Sequence, residues 1–494
     1  MAEQESDLRA QMRSKLEVLK SKGLDPYQKY RFIRTHDSEG VKLEFGDIGA
    51  EKSSVEISAA GRAMAVRVHG KAGFADLVDR EGKIQLYFKL NDIGQDAWDI
   101  FTSLDRGDII GVKGKVFRTK MGEVTIAVST LEVLSKALIP FPEKFHGLQD
   151  VQTRYRQRYL DLAINDDVRK RFINRSKMIA YFREWLNKRD FLEIETPILQ
   201  PLYGGALAKP FVTHHNYLDM DLYLRIAPEL YHKRCIVGNL EKVYEIGKNF
   251  RNEDIDAQHY PEYTSIELYQ AYADYEDIMD LTESLICDTA MHITGTDKIP
   301  YGDKVLDFSK PWLRITMHDA VKEHTGVDIS SFGSVEEARD AAMKIGVRDI
   351  ADCQDMGKIV AEIFDQKAQP HLMNPTFVID HPVEVSPLAK RKRGNPDLVE
   401  RFELFINGWE FANAFSELND PEEQEQRFRE QDRRRKEGDE EAHPIDSDYI
   451  RALEYGLPPT GGLGIGVDRL AMILTNAPSI KEVILFPHMK PETM

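Results

Sequence analysis

Two stretches of this 494-residue chain hold side chains whose types and spacing suit chemistry on phosphate. The first is Asn249-Phe250-Arg251-Asn252-Glu253, followed by His259 and by Tyr263-Thr264-Ser265-Ile266-Glu267. Arginine offers a planar fork of donors that matches phosphate oxygens, so a strand entering a polar loop with Arg251, Glu253 and His259 suits a triphosphate. Standing alone, Arg251 and Glu253 would be better read as a structural ion pair. The second stretch is Gly461-Gly462-Leu463-Gly464-Ile465-Gly466-Val467-Asp468-Arg469. A dinucleotide fingerprint would need glycine where Arg469 stands. A glycine-rich strand running into a helix instead lets a flat ring approach the backbone, with an arginine at the helix start able to reach a phosphate.

The elements that must position these residues are legible from periodicity. Residues 4–22 predict an amphipathic helix with Leu8, Met12, Leu16 and Leu19 on one stripe, ended by Gly23 and Asp25-Pro26. From about Val55 to Leu138 the pattern changes to short alternating strands: Val55–Val68, Gly73–Val78, Ile84–Lys89, Ile109–Thr119 and Val124–Leu134. Five strands of this size suggest a small closed barrel of the OB type, a frequent binder of single-stranded nucleic acid. Pro140 and Pro142 mark a linker. Beyond it the chain is mixed: a helical stripe of Phe172, Ile179, Phe182 and Leu186, a strand from Leu192 stopped by Pro197, then strands Val243–Phe250 and Tyr263–Tyr269. Residues 316–366 read as a helical insertion. Asn407-Gly408 between Phe402–Ile406 and Trp409–Ser416 is a strong hairpin signal. Pro421–Lys436 predicts a charged surface helix with Asp420 as its N-cap.

Length alone calls for more than one domain, and 42% hydrophobic with 30% charged residues is an ordinary globular balance. Cys235, Cys287 and Cys353 stand far apart, which argues against a disulfide framework or a zinc knuckle and favours a reducing compartment. The polar, acidic start is unlike a signal or transit peptide, and no apolar run is long enough to span a bilayer. A net charge of −17 counts against a nucleic-acid partner, but residues 1–150 hold 23 residues of each sign, so the acidic excess lies further on. A local basic face at Lys113, Lys115, Arg118 and Lys120 remains open to the N-terminal third, beside the reading of a merely solvated strand and turn.

The sequence resembles the class II aminoacyl-tRNA synthetases, with their three motifs in order: the strand ending at Pro197, the stretch centred on Arg251 and Glu253, and the stretch ending at Arg469. Within that class it is similar, over nearly its whole length, to the lysyl-tRNA synthetases. The strings that carry this are Gly204-Gly205-Ala206 with Lys209-Pro210-Phe211, Arg225-Ile226-Ala227-Pro228-Glu229-Leu230-Tyr231, Ala271-Tyr272-Ala273-Asp274-Tyr275, His381-Pro382 with Ser386-Pro387-Leu388-Ala389, and Phe415-Ser416-Glu417-Leu418-Asn419-Asp420. The H-I-G-H and K-M-S-K-S strings of class I are absent. The resemblance implies an α+β architecture: an N-terminal helix and lead-in at 1–50, an OB-type anticodon-binding barrel at 51–138, a linker at 139–152, and a catalytic domain at 153–494. That domain would be an antiparallel sheet flanked by helices, with a helical insertion at about 313–370. It also implies a cytoplasmic homodimer that joins L-lysine to tRNA(Lys) with ATP, through a lysyl-adenylate.

The roles follow residue by residue from the same resemblance. Arg251 would clamp the α-phosphate and the lysine carboxylate, and it and Arg469 would be the catalytic arginines. Glu253, His259, Tyr263 and Arg469 would complete the ATP site, with Tyr263 stacking on adenine where phenylalanine is usual. Glu403 and Glu410 would hold Mg²⁺, a hard cation suited to carboxylate and phosphate oxygens. Lysine would be read by Glu229 and Glu417, with Gly205, Glu267, Tyr269, Asn413 and Phe415 completing its pocket. Two carboxylates converging on one ammonium are costly unpaired and favourable once paired. In the barrel, Phe74, Gln85 and Glu123 match the anticodon-reading positions, with a core-filling role as the alternative for Phe74. Two departures, Asp254 in place of a glycine and Tyr260 in place of an asparagine, fall in the ATP loop. An aspartate or asparagine ligase would want a cationic pocket, against Glu229 and Glu417. A catalytically silent paralogue would have no use for the retained arginines and glutamates, and lysine ligases acting on proteins lack the barrel.

One geometric expectation is specific. A two-residue Asn407-Gly408 turn pairs Phe405 with Glu410 and Glu403 with Ala412, and strict alternation then turns Asn413, Phe415 and Glu417 away from Glu403 and Glu410. One active site needs all five, so a β-bulge is predicted between Glu410 and Asn413.

Overall fold

The computed structural model describes residues 2–142, 148–351, 353–437 and 444–491. By its internal contacts the chain divides into two compact units, Met1–Arg169 and Lys170–Met494. Residues 143–147, inside the linker expected at 139–152, lie outside the described residues.

In the first unit, alternation does what period two requires. Ile84, Leu86 and Phe88 are buried while Gln85 and Tyr87 between them are only partly covered. Strands β1 (Glu56–His69), β2 (Ala72–Val78), β3 (Lys83–Lys89), β4 (Ile109–Arg118) and β5 (Val124–Ser135) close into a barrel in the order β1-β2-β3-β5-β4. Closure leaves no free sheet edge. A helix at Leu90–Ser103, kinked at Gly94, joins β3 to β4 and was not anticipated. It delivers Trp98 and Phe101 into the barrel core, where Phe101 stacks on Phe88 at 4.1 Å between ring centres. Gly73 is required beneath it, because a Cβ there would fall on the Phe101 ring.

The N-terminal helix runs Ala2–Ser21. Met12, Leu16 and Leu19 are buried as expected, but Leu8 is 47% exposed and does not belong to the stripe. Of the expected basic face, Lys113, Lys115 and Lys120 are exposed. Arg118 is not part of it: its guanidinium donates to the carbonyls of Ile48, Gly122 and Gly46 and ties the barrel to the lead-in segment.

The second unit is built on one large sheet. Its strands run, in spatial order, Leu313–Thr316, Thr376–Pro382, Asn395–Ile406, Trp409–Ser416, Thr460–Gly466, Glu262–Ala271, Lys242–Phe250 and Leu192–Glu193. The interior pairs are antiparallel; the outermost pair at each edge is parallel, which the expectation of an antiparallel sheet did not include. The strand before Pro197 is only two residues long. One face of the sheet is apolar: Phe402, Leu404, Ala412, Ala414, Leu463, Ile465, Ile266 and Leu268 pack on the helices Asp166–Asn187, Tyr275–Thr294 and Val467–Leu474. Period-two alternation therefore sends the intervening residues to the opposite face, where the cavity lies.

The insertion starts later than expected, since 313–316 is an edge strand of the main sheet. Its helices Met317–Thr325, Val335–Lys344 and Met356–Lys367 share a core of Val321, Ala338, Ile363 and Phe364, which packs on Val378 and Phe405 of the sheet. The helix Pro421–Lys436 starts as predicted, with Asp420 accepting from the Glu422 and Glu423 amides.

Candidate functional site

Hydrogen-bond register turns the sheet's polar face into two transverse rows of side chains. The first is Glu403–Asn413–Gly464–Glu267–Glu245 and the second Arg401–Phe415–Gly462–Tyr269. Both rows exist because of one irregularity in the hairpin. Asn407 and Gly408 both take positive φ (55° and 73°), as a type I′ turn demands. Phe405 pairs with Glu410 as predicted, but Leu404 pairs with Ala412 and Glu403 with Asn413. The expected bulge is thus present at Phe411, whose extra residue sinks into the core. It brings Glu403, Glu410, Asn413 and Phe415 to one face.

A cavity of about 380 Å³ opens over these rows, and every residue expected to handle ATP, metal or lysine lines it. At one end stands Arg251, at the close of its strand, with its guanidinium carbon 5.3 Å from the centre of the Tyr263 ring. Its Nε is buried with no hydrogen-bond partner among the described residues. Burial would lower its pKa, but Tyr263, Glu253, Glu410 and Glu267 outweigh it and hold the guanidinium charged. Arg469 starts the helix Val467–Leu474; its Nη1 donates to the Glu410 carbonyl at 2.5 Å and its Nη2 to His259 Nε2 at 2.9 Å. Because arginine only donates, His259 Nε2 accepts, and Nδ1–H is left to donate to Asp256 Oδ2 at 2.7 Å. Asp468, beside Arg469, turns the other way: it accepts from the Thr264 amide and pairs with Arg175, locking helix to strand.

Of the two departures, Tyr260 is a packing residue. Its ring is buried and its hydroxyl meets the His488 amide, so it anchors the C-terminal segment. Asp254 and Glu253 are exposed in the loop that borders the cavity.

Glu403 and Glu410 face the same space. Burial, then the charge of Glu403, pushes the Glu410 carboxyl upward. Asp365, from the insertion, keeps exposed surface, yet crowding by the surrounding protein and then Glu403 push its carboxyl up to about 7. Such mutual repulsion is what a cation between carboxylates relieves. Among the described residues no three His, Cys, Asp or Glu side chains gather as a ready-made metal cage. Arg401, which sequence reasoning missed, binds Glu403 at 2.5 Å, the Asn413 amide oxygen at 3.1 Å and the Val385 carbonyl at 2.9 Å. Its place two residues before Glu403 on the same strand face was the available signal.

At the other end lies the carboxylate pocket. Glu229 opens the helix Glu229–Val237, and Glu417 follows the end of its strand. Gly205, with φ 89°, is needed where it passes Glu229, since a Cβ would come within 3.0 Å of the Glu229 Cβ. Gly462 is needed because a Cβ there would land on Glu417 Oε1 and the Tyr269 ring. Burial, and then Glu229, pushes Glu267 up to about 8. The two carboxylates already share a partner within the protein, one that the sequence reading did not name. Lys233 Nζ, fully buried, lies 2.6 Å from Glu229 Oε1 and in contact with Glu417 Oε2.

On the barrel, Phe74 is half-buried outside the core cluster, across from Tyr87 at 5.2 Å. Gln85 donates to Glu123 at 2.8 Å and accepts from Thr125 at 3.0 Å, so its amide orientation is fixed.

Comparison with known proteins agrees with these two centres. A family model described as tRNA synthetases class II (D, K and N) matches residues 150–490, and one described as an OB-fold nucleic acid binding domain matches residues 57–134. The lysine–tRNA ligase of Clostridium novyi (strain NT) is 53% identical over 480 residues, covering 97% of this chain and 93% of that one. That of Moorella thermoacetica is 51% identical over 490 residues, 99% of each chain. That of Pelotomaculum thermopropionicum is 54% identical over 491 residues, 99% of this chain and 96% of its own.

Proposed function

The chain belongs to the lysine–tRNA ligases of class II, and from that premise we propose how its residues divide the work. It is an ATP-dependent ligase that joins L-lysine to tRNA through a lysyl-adenylate, releasing AMP and pyrophosphate. The division of labour rests on one observation: a single cavity is cationic at the Arg251 and Arg469 end, which His259 also lines, and anionic at the Glu229 and Glu417 end. Lysine's carboxylate attacks the α-phosphorus in line and pyrophosphate leaves, which needs positioning and charge stabilisation but no protein nucleophile. Arg251 receives the α-phosphate and the attacking carboxylate. Arg469 and His259 release each other to hold the distal phosphates, with Glu253 alongside. Tyr263 stacks on adenine over the open floor left by Gly464 and Gly466. Glu229, Glu417, Glu267, Tyr269, Asn413, Phe415 and Gly205 enclose the amino acid. Mg²⁺, held by Glu403 and Glu410, would neutralise triphosphate charge. The 3′-hydroxyl of the terminal ribose of tRNA then attacks the anhydride.

The proposed domains assign anticodon reading to residues 51–138 and chemistry to residues 153–494, in a cytoplasmic homodimer. Among the described residues no helix is long and apolar enough to cross a membrane. ATP–pyrophosphate exchange across the twenty amino acids tests the substrate: lysine should support it, and exchange with aspartate or asparagine in its place would overturn the pocket reading.

For the barrel, Phe74→Ala with Gln85→Ala should cut the tRNA-dependent half-reaction tenfold or more while sparing tRNA-independent adenylation. A stacked base is worth ~1–3 kcal/mol. Charging of tRNA and pyrophosphate exchange, measured on the same preparation, separate the two; equal losses would return Phe74 to a packing role.

A further inference from the structure

We propose that Lys233 is a specificity-determining residue that fixes the side-chain pocket at one net negative charge, so that it receives one ammonium. The inference rests on the lysine-ligase reading of the same pocket and extends it to a residue that never touches substrate.

Lys233 is the fourth residue after Glu229 on one helix, the spacing that stacks two side chains on a face. Its ammonium reaches Glu229 and Glu417 together and has no exposed surface. Glu229 and Glu417 line the cavity, whereas Lys233 does not. It therefore sits behind the two carboxylates. Glu417 Oε1 is buried without a hydrogen-bond partner among the described residues. The ring of Phe415, which lines the cavity, and that of Tyr449, which does not, lie 5.5 and 6.0 Å from Nζ. Burial alone would discharge the amine, but the two carboxylates outweigh it and keep Lys233 protonated.

The charge count follows. Burial pushes the Glu229 and Glu417 carboxyls upward and the Lys233 ammonium opposes that rise. In the ionised pocket two carboxylates and one fixed ammonium leave a single unit of negative charge, and the incoming lysine side chain brings a single positive one. A pocket with both carboxylates and no Lys233 would need a second cation or a proton to be neutral when filled. A pocket with Lys233 and only one carboxylate would be neutral when empty and would leave the ligand's charge unmatched when filled. Buried charge left unmatched is strongly unfavourable in either case. Lys233 is thus a positioning residue: it aims the carboxylates and sets how much charge they offer.

This makes an unusual demand on a double variant. Glu229→Gln alone leaves Glu417 neutralised by Lys233. Adding Lys233→Met removes that neutralising ammonium and returns the pocket to one net negative charge. The double variant Glu229→Gln/Lys233→Met should therefore have a lysine KM at least tenfold lower than Glu229→Gln alone, with the ATP KM within threefold for both. Pyrophosphate exchange at varied lysine and varied ATP reads both constants, and thermal melts confirm that each variant is folded. A purely structural Lys233 predicts the opposite sign, a second lesion added to the first; a double variant no better than Glu229→Gln overturns the proposal. Both test proteins leave less buried charge uncompensated than Lys233→Met alone, so the comparison does not depend on that single variant folding. Failure of the wild-type chain to exchange with lysine would instead overturn the reading of the pocket itself.

Discussion

Arg251→Ala should lower lysine-dependent ATP–pyrophosphate exchange at least a hundredfold while leaving tRNA affinity nearly unchanged. Arg251 ends its strand inside the cavity, its Nε has no internal partner, and surrounding carboxylates hold it charged. A donor preorganised in a dry site and aimed at developing charge is worth several kcal/mol in the transition state, and removing one costs about a hundredfold or more in rate. Lysine at 251 should rescue little, because an ammonium cannot reproduce the planar fork that grips two groups at once. tRNA binding, followed by filter retention or fluorescence, draws on the barrel, whose expected anticodon residues Phe74, Gln85 and Glu123 are far from Arg251 in sequence. Exchange within a few-fold of wild type would remove Arg251 from the chemistry.

The second large effect is expected at the opposite end of the cavity. Glu417→Gln keeps nearly the same shape and removes the charge that both Lys233 and the substrate use. Truncating one partner of a buried, hydrogen-bonded charge pair costs roughly 2–5 kcal/mol, or about thirtyfold and upward in kcat/KM for lysine. With Lys233 still in place the pocket becomes neutral, so the loss should fall chiefly on lysine KM and leave ATP's apparent affinity alone. Replacing Glu229 and Glu417 together by glutamine should erase most discrimination between lysine and its neutral isostere norleucine. Exchange assays with both amino acids measure this. A double variant with unaltered lysine kcat and KM would show that these carboxylates do not read the side chain.

The hairpin shows how far local reasoning reaches. Asn407-Gly408 dictated the turn, and the need for Glu403, Glu410, Asn413 and Phe415 on one face dictated a bulge, which is there. Its position at Phe411 was not deducible, because it depends on an apolar core gathered from the helices on the far side of the sheet. The glycine strand behaves likewise. The spacing of Gly462, Gly464 and Gly466 announced close approach to a backbone, yet Gly462 makes room for Glu417 and Tyr269 of the protein itself.

By itself the sequence determined the five barrel strands to within a residue or two, the charged helix at Pro421–Lys436 and the hairpin turn, and the residues it led one to expect around ATP, metal and lysine all line one cavity. Those features are written in short-range periodicity, turn chemistry and ordered strings of side chains, each readable without knowing what stands opposite. Only the tertiary structure decided that Leu8 leaves its stripe, that Arg118 serves the backbone, that Arg401 holds Glu403, and that His259 bridges Asp256 and Arg469. It alone decided that Lys233 turns inward to meet a carboxylate 184 positions further along the chain. A lysine on a helix is ordinarily solvated, and nothing near Lys233 in sequence says otherwise: the partner that makes its burial affordable, Glu417, arrives through the register of the sheet.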